Sequence, residues 1–256
     1  MSNLLNYKVQ GNGEPLLLLH GLFGNLDNLG LLARELEKKF QVVSVDLRNH
    51  GKSFHSSDHS YSSMADDVLR LLDHLAIEQC IAIGHSMGGK VAMKLASAFP
   101  IRISKLVVMD MAPVGYQTHR HDNVFSGLQA VLAAKPKTRQ EAMFILEQHI
   151  NIEGVRQFLS KSMFNNEQGI QWRFNVPALL EQYPYIVGWQ PGPAYQQPTL
   201  FLKGANSEYI LPEHQTQIKT QFPTAKAHII ANTGHWLHAE KPNEVLRAIS
   251  KFIEQS

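Results

Sequence analysis

Cysteine is almost absent from this sequence. Of its 256 residues only Cys80 carries a thiol, and a single thiol excludes an intramolecular disulfide framework. Cys80 begins an apolar run that is typical of a buried strand. We therefore interpret it as a small core residue and not as a nucleophile.

Long hydrophobic runs and an excess of one charge are also missing. The longest early apolar run, residues 16–19, is far shorter than the ~20 residues of a membrane span, and no basic segment precedes an apolar stretch at the N-terminus. The 24 lysines and arginines nearly balance 22 acidic residues, without the basic blocks typical of nucleic-acid binding. We expect a soluble, cytoplasmic protein with no membrane span and no nucleic-acid partner.

The composition and patterning that are present indicate the α/β class. A chain that is 44% hydrophobic and 18% charged can bury a full core and is neither disordered nor collagen-like. Apolar runs alternate with helical patterns, which predicts a mostly parallel central sheet with helices on both faces. The predicted strands are 16–19, 40–45, 80–83, 106–109, 199–202 and 227–230, and the predicted helices are 26–39, 61–75, 87–98, 213–221 and 243–254.

The alternation stops after Pro113 and resumes near residue 191. Between them we find helical patterns without intervening strands, at 123–134, 138–151, 153–163 and 176–182. We predict one sheet domain, residues 1–113 and 191–256, with a helical cap inserted at 114–190. Such an insertion lies over the edge of the sheet where α/β proteins bind ligands.

The strongest chemical signal is the G-x-S-x-G segment at 84–88, which lies between a predicted strand and a predicted helix. A strand that turns sharply into a helix strains its central residue, and glycines on either side remove side chains that would clash. The turn exposes the Ser86 hydroxyl at a helix N-terminus, which favours developing negative charge. Ser86 is therefore the predicted nucleophile.

A serine nucleophile needs a base, and His235 is the preferred candidate among 13 histidines. It lies in the loop after the last predicted strand, from which it can reach Ser86 across the sheet edge. His238 is the alternative, whereas we interpret His85 and His20 as structural. The segment 119–121, His-Arg-His, is a polar connector that we expect at the solvated surface rather than around a metal.

Together these motifs resemble the landmarks of the α/β-hydrolase superfamily, in family order. They are His20-Gly21, DLRNHGKS at 46–53, GHSMGG at 84–89 and GHW at 234–236, and within the superfamily they most resemble YbfF-type bacterial esterases. The resemblance implies the α/β-hydrolase fold, a Ser–acid–His triad and a helical cap over the pocket.

The acid of the triad departs from the commonest family pattern. Many members place an aspartate in a G-x-x-D stretch, where this chain has Ser207. Some members, YbfF-like esterases among them, take the acid from the end of an earlier strand, which here is Asp110. An acid at that position can orient His235 and stabilise its protonated form. We favour Asp110, with Glu208 as the alternative.

Two backbone N–H groups are expected to form the oxyanion hole. Met87 supplies one because it follows the nucleophile, and the resemblance implies Leu22 for the other. Asp46 and Arg48 are interpreted as ties between strand ends. A direct role for His50 is not favoured.

The residues predict a serine esterase or thioesterase that acts on a small acyl ester or acyl thioester without a metal or organic cofactor. Open alternatives on the same scaffold are a C–C bond hydrolase, a lyase of menaquinone biosynthesis, a cofactor-free haloperoxidase and, outside enzymes, a ligand-binding receptor. The candidate acyl-pocket side chains, each more simply interpreted as packing the cap onto the core, are Phe125, Leu128, Phe144, Phe158, Leu159, Met163, Trp172 and Phe174. The cap cations, which are candidates for a phosphate but more simply a solvated face, are Lys135, Lys137, Arg139, Arg156 and Lys161.

Overall fold

A seven-stranded sheet forms the centre of the protein. The computed structural model describes residues 4–116 and 119–255. The strands of this sheet are β1 (Tyr7–Gln10), β2 (Glu14–Leu19), β3 (Phe40–Val45), β4 (Cys80–His85), β5 (Ile103–Met109), β8 (Thr199–Gly204) and β9 (Ala225–Ile230). Their order in the sheet is β1-β3-β2-β4-β5-β8-β9, and every neighbouring pair is parallel except β1 with β3.

Helices cover both faces of this sheet, which confirms the predicted fold class. Successive residues of a strand point to opposite faces, so the nearly continuous apolar run of β2 feeds two cores: Leu17 and Leu19 pack on one side, Leu16 and Leu18 on the other. One face carries α2 (Tyr61–His74), α3 (Met87–Ala98) and α9 (Gln215–Gln221); the other carries α1 (Gly30–Leu36) and α11 (Pro242–Gln255), with the short α10 (Leu237–Glu240) preceding α11.

The segment between β5 and β8 forms the cap. Its helices are α4 (Asp122–Ala134), α5 (Arg139–Glu147), α6 (Glu153–Ser160), α7 (Val176–Glu181) and α8 (Tyr183–Val187). The expectation of a strand-free insertion is wrong, because β6 (Met163–Asn166) and β7 (Gly169–Trp172) pair as an antiparallel hairpin. The polar residues 165–168 precede Gly169, whose φ of 105° suits glycine. The bounds 114 and 190 stay predictions.

Two further differences are local. The sequence pattern missed β1, a short strand whose middle residues are exposed. The predicted helix 26–39 is shorter than expected: a 3-10 helix at Leu26–Leu29 leads into α1, which ends at Leu36. Among the described residues, no helix is both long and apolar enough to cross a bilayer.

Candidate active site

Ser86 occupies a strained turn between β4 and α3. Its φ of 54° and ψ of −121° lie outside the regions that most residues adopt. The surrounding backbone leaves no room for side chains: a Cβ at Gly84 would lie 2.2 Å from the Gly88 carbonyl oxygen, and one at Gly88 would lie 2.3 Å from the Leu19 carbonyl oxygen. The glycines of the G-x-S-x-G segment are therefore required by close backbone approach, as expected.

His235 meets Ser86 from the loop after β9. The Nε2 atom of His235 lies 2.9 Å from Ser86 Oγ. The ring stacks on Tyr209 with 3.9 Å between ring centroids, and the His85 side chain donates from Nε2 to the His235 carbonyl at 2.9 Å. His235 is thus held through both its ring and its backbone, in a position to accept the serine proton.

Asp110 lies on the other side of the His235 ring. It is fully buried and accepts the Nδ1–H of His235 through Oδ2 at 2.7 Å. The Gly204 N–H donates to its Oδ1 at 3.0 Å, and its own N–H donates to the Leu202 carbonyl at 2.7 Å. Its φ of 53° is strained like that of Ser86, so the end of β5 is shaped to place this carboxylate.

Ser207 also contacts the Asp110 carboxylate, a feature that the sequence interpretation missed. Its hydroxyl donates to Oδ2, the same oxygen that accepts from His235. Ser207 occupies the position at which many family members carry the acid of the triad. That position was the signal in the sequence that could have placed Ser207 beside the acid. Glu208, the alternative acid, instead pairs at 3.1 Å with Arg120, and its side chain is 80% exposed.

The loop at 20–24 contacts Ser86 closely. A Cβ at Gly21 would lie 3.2 Å from the Ser86 Cβ, so the backbone that leads to Leu22 runs against Ser86. Met87, 2% exposed, begins α3 immediately after Ser86. The backbone N–H groups of Leu22 and Met87 are therefore carried by the two segments that border the Ser86 hydroxyl.

The other motif histidines are buried and hydrogen-bonded to the backbone or to side chains. His20 accepts the Leu47 N–H on Nε2 at 3.1 Å and donates from Nδ1 to the Gly21 carbonyl at 2.8 Å. His85 also lies beside His238, with ring centroids 4.3 Å apart. Burial lowers the pKa of His238 to about 3, and the serine hydroxyl meets His235 rather than this alternative base.

The DLRNHGKS loop ties several elements together. Asp46 accepts the Leu26 N–H at 2.7 Å and the Lys52 N–H at 2.8 Å. Arg48 pairs with the buried Asp67 of α2 through two nitrogens, Nε at 2.5 Å and Nη2 at 2.9 Å. These contacts agree with the architectural role expected for Asp46 and Arg48.

The segment 119–121 is only partly at the surface. The His119 side chain is 84% exposed, but His121 is half-buried against Tyr183, with Nδ1 at 2.6 Å from the phenol oxygen. Burial lowers the pKa of His121 to about 4. The expectation of a fully solvated connector is therefore wrong for His121. In the part of the chain that the structure describes, no group of three His, Cys, Asp or Glu side chains converges as metal ligands do.

Cys80 is buried in β4, as expected. Burial raises the pKa of its thiol to about 12. A thiol with so high a pKa forms almost no thiolate, the reactive form of cysteine, at neutral pH.

A pocket of about 310 Å³ lies between Ser86 and the cap. Of the eight apolar side chains considered from the sequence, Phe158 and Leu159 line it, whereas Phe144 is 67% exposed. The remaining five pack into the core instead: Phe125, Leu128, Met163, Trp172 and Phe174. The apolar lining residues that the sequence did not identify include Val124, Ile150, Ile152, Val155, Ile186 and Val187.

Four of the five cap cations are exposed and Arg156 is half-buried, and none of the five lines this pocket. Two cations outside that set of five line it: Arg120 of the cap, and Lys90 of α3, which is 1% exposed. Its Nζ donates to the carbonyls of Val187 at 2.9 Å and Gly188 at 2.7 Å, and burial lowers its pKa to about 7. Lys90 thus ties the core to the end of the cap.

Comparisons with known proteins place this chain among α/β hydrolases. A family model for the alpha/beta hydrolase fold matches residues 14–242. Esterase YbfF of Escherichia coli (strain K12) is 49% identical over 95% of this chain and 94% of its own. The sn-1-specific diacylglycerol lipase ABHD11 of Mus musculus is 36% identical over 93% of this chain and 80% of its own. A solved marine microorganism esterase superposes with a TM-score of 0.94 at 37% identity, covering 98% of this chain and all (100%) of that one.

Proposed function

The chain belongs to the alpha/beta hydrolase fold family, and on that basis we propose that it is a serine hydrolase that cleaves carboxylic esters or acyl thioesters through an acyl-enzyme. Esterase- and lipase-named relatives over most of the chain support hydrolase activity. Fold alone does not decide between reactions, so the proposal depends on the site.

One observation carries the proposal: an unbroken series of hydrogen-bonding side chains at the pocket wall. Ser86 Oγ lies 2.9 Å from His235 Nε2, and His235 Nδ1 lies 2.7 Å from Asp110 Oδ2. Each separation is within the range expected of a nucleophile, its base and the group that orients the base. Ser86 directly follows β4, Asp110 directly follows β5, and His235 lies in the loop after β9.

Acylation begins when Ser86 Oγ attacks the acyl carbonyl carbon. The serine proton passes to His235 Nε2, and the buried Asp110 carboxylate stabilises the imidazolium that forms. As the tetrahedral intermediate collapses, His235 returns the proton to the leaving alkoxide or thiolate. The alcohol or thiol departs, and the acyl group remains on Ser86.

The oxyanion of each tetrahedral intermediate accepts hydrogen bonds from the N–H groups of Met87 and Leu22. Water then enters, His235 removes its proton, and the resulting hydroxide attacks the acyl carbon. The second intermediate releases the carboxylic acid and restores the Ser86 hydroxyl. In this proposal the reaction consumes one water and no other co-reactant.

The pocket supports an apolar acyl group of short to medium length. Its cap side presents Val155, Phe158 and Leu159, and apolar side chains favour an acyl chain that leaves water. The esterase and lipase names of the relatives support esters as the first substrates to examine. Acyl thioesters need the same attack on a carbonyl carbon, so the site serves both.

Labelling with a fluorophosphonate tests the nucleophile. The folded wild type should be labelled on Ser86. Ser86→Ala should show the same circular dichroism as the wild type and should not be labelled. Absence of labelling in the folded wild type would contradict a serine hydrolase.

Substrate class is tested with p-nitrophenyl esters of increasing chain length beside acyl-CoA thioesters. We expect hydrolysis of at least one series, abolished in Ser86→Ala. If the labelled protein hydrolyses none of them, the result would contradict ester and thioester hydrolysis and favour the C–C hydrolase or lyase alternative.

A further inference from the structure

Residues 21–24 form a tight turn in which a phenylalanine takes a position that glycine or asparagine normally fills. The Gly24 N–H donates to the Gly21 carbonyl at 3.1 Å, and of the two central residues only Phe23 has a positive φ, 63°. These are the features of a type II turn, whose third residue is normally glycine or asparagine. A phenylalanine there is strained, so neighbouring groups must hold it.

His50 supplies one of those groups. Its Nε2 accepts the Phe23 N–H at 3.1 Å, and its Nδ1 donates to the Arg48 carbonyl at 2.9 Å. The Nδ1 contact fixes the tautomer and leaves a lone pair on Nε2. On the other side of Phe23, the Ser162 hydroxyl of the cap donates to its carbonyl at 3.1 Å.

The contact sets the orientation of the peptide between Leu22 and Phe23. The type I alternative avoids the positive φ by rotating this central peptide through about half a turn, so that its N–H points the other way. An acceptor for the Phe23 N–H therefore favours the type II form. Rotation would change the backbone angles on both sides of that peptide, including those of Leu22.

The preceding peptide is held by the neighbouring histidine. His20 donates from Nδ1 to the Gly21 carbonyl, and since C=O and N–H point in opposite directions in a trans peptide, the Leu22 N–H points away from His20. The His20 and His50 rings pack together with centroids 5.2 Å apart. The two peptides that flank Leu22 are thus each fixed by one ring.

We propose that His50 is a positioning residue for the oxyanion hole: through the Phe23 N–H it holds the 21–24 turn in the form that presents the Leu22 N–H beside Ser86. The inference rests on the proposed serine hydrolase function. It assigns to His50 a part in the reaction without contact between His50 and the substrate.

His50 performs this role only while Nε2 is unprotonated. Its burial, followed by the nearby His20 and His59, holds its pKa well below 6.5. The fold therefore keeps the acceptor as the pH falls, whereas a protonated ring would present an N–H to the Phe23 N–H. The titratable and charged groups around this histidine cluster are His20, His55, His59, Asp46, Arg48 and Asp58.

Two substitutions separate the acceptor from the donor. In His50→Gln the amide oxygen can replace Nε2 as acceptor, whereas the shorter His50→Asn replaces only the Nδ1 donor. Loss of a whole oxyanion donor costs about 10²–10³-fold in kcat. We expect His50→Asn to lower kcat for an ester about 10–100-fold with KM within about threefold, and His50→Gln to retain kcat within about threefold.

Amide hydrogen exchange provides a readout independent of activity. The Phe23 amide should exchange at least about tenfold faster in His50→Asn than in the wild type and His50→Gln. Leu72→Ala, which truncates a fully buried side chain of α2, is the control for a general loss of stability. Its thermal midpoint should fall while its kcat stays near that of the wild type.

Equal loss of kcat in the Gln and Asn variants, or wild-type kcat in His50→Asn, would overturn the proposal. Unchanged Phe23 exchange in His50→Asn would overturn the claim that His50 holds the turn. If the wild type hydrolyses neither esters nor acyl thioesters, the proposed function fails, and the catalytic part of the inference fails with it. Exchange then still decides whether His50 holds the turn.

Discussion

The two walls of the pocket are built by different means. Among the described residues of the sheet domain, six non-glycine residues have a positive φ. Ala76 follows α2, and the other five lie after the carboxyl ends of strands: Phe23, Asn49, Ser86, Asp110 and Asn232. In the cap, the described residues contain one, Lys135. Strain of this kind persists only where hydrogen bonds and packing enforce it. On the sheet side, these contacts therefore hold the backbone and the reacting side chains in fixed positions.

The cap wall consists mainly of apolar side chains, which have no fixed bonding directions. Apolar contacts depend on volume rather than on direction. Changes on the sheet side should therefore reduce the rate of the chemical step, and changes in the cap should alter which acyl chains are accepted.

The largest expected effect on the sheet side comes from the buried acid. Asp110→Asn keeps the side-chain size but cannot stabilise the imidazolium, so kcat should fall about 10³–10⁴-fold with the fold retained. Steady-state kinetics with an ester, beside circular dichroism, measure this. Glu208→Gln is the matched control and should leave kcat near wild type. The reverse result would move the acid to Glu208.

Ser207→Ala should have a smaller effect. It removes the donor to Asp110 Oδ2 and the acceptor of the Tyr209 N–H but leaves the Gly204 N–H and His235 in place. We expect kcat to fall about 3–30-fold, the equivalent of a partial loss of one charge-assisted hydrogen bond. Ser97→Ala removes a buried hydroxyl that has no partner among the described residues and should not change kcat. Equal effects of the two changes would show that Ser207 does not support Asp110.

A cap substitution should change selectivity more than rate. Phe158→Ala enlarges the apolar pocket, so the preferred acyl chain should lengthen, with a change of about 3–10-fold in the ratio of kcat/KM between long and short esters. The exposed Phe144→Ala is the control and should leave the ratio unaltered. A large loss of kcat for every chain length in Phe158→Ala would contradict the division between the two walls.

Lys90 joins the two walls, and its effect should be seen in stability rather than in rate. The folded-state pKa of about 7 lies below the ordinary 10.5, so between these values the unfolded chain binds more protons and the free energy of unfolding rises with pH. The contribution is at most about 1.4 kcal/mol per pH unit. Denaturant unfolding between pH 7 and 10 should show a steeper rise in the wild type than in Lys90→Met. Equal slopes would contradict a depressed Lys90 pKa.

The difference between the walls also explains what the sequence could predict. Ser86, Asp110 and His235 follow strands of a parallel sheet, whose carboxyl ends meet at one edge, so their convergence follows from local patterns. The missing G-x-x-D aspartate pointed to Asp110, but the Ser207 hydroxyl on its carboxylate depends on the contact between two loops.

The cap could be predicted less well. Helical spacing is the same for Phe158, which lines the pocket, and for Phe125, which packs into the core. The β6–β7 hairpin has only four residues in each strand, too few to show a clear alternation. Tertiary packing decides these features.

The most direct test of the account is to trap the acyl-enzyme. The wild type is mixed with an excess of a p-nitrophenyl ester, quenched in acid within the first turnovers, and digested for mass spectrometry. We expect the peptide that contains Ser86 to gain the mass of the acyl group, and the same peptide from Ser86→Ala to remain unmodified. Rapid hydrolysis of the ester with the acyl group on another residue, or undiminished hydrolysis by Ser86→Ala, would contradict a nucleophilic Ser86.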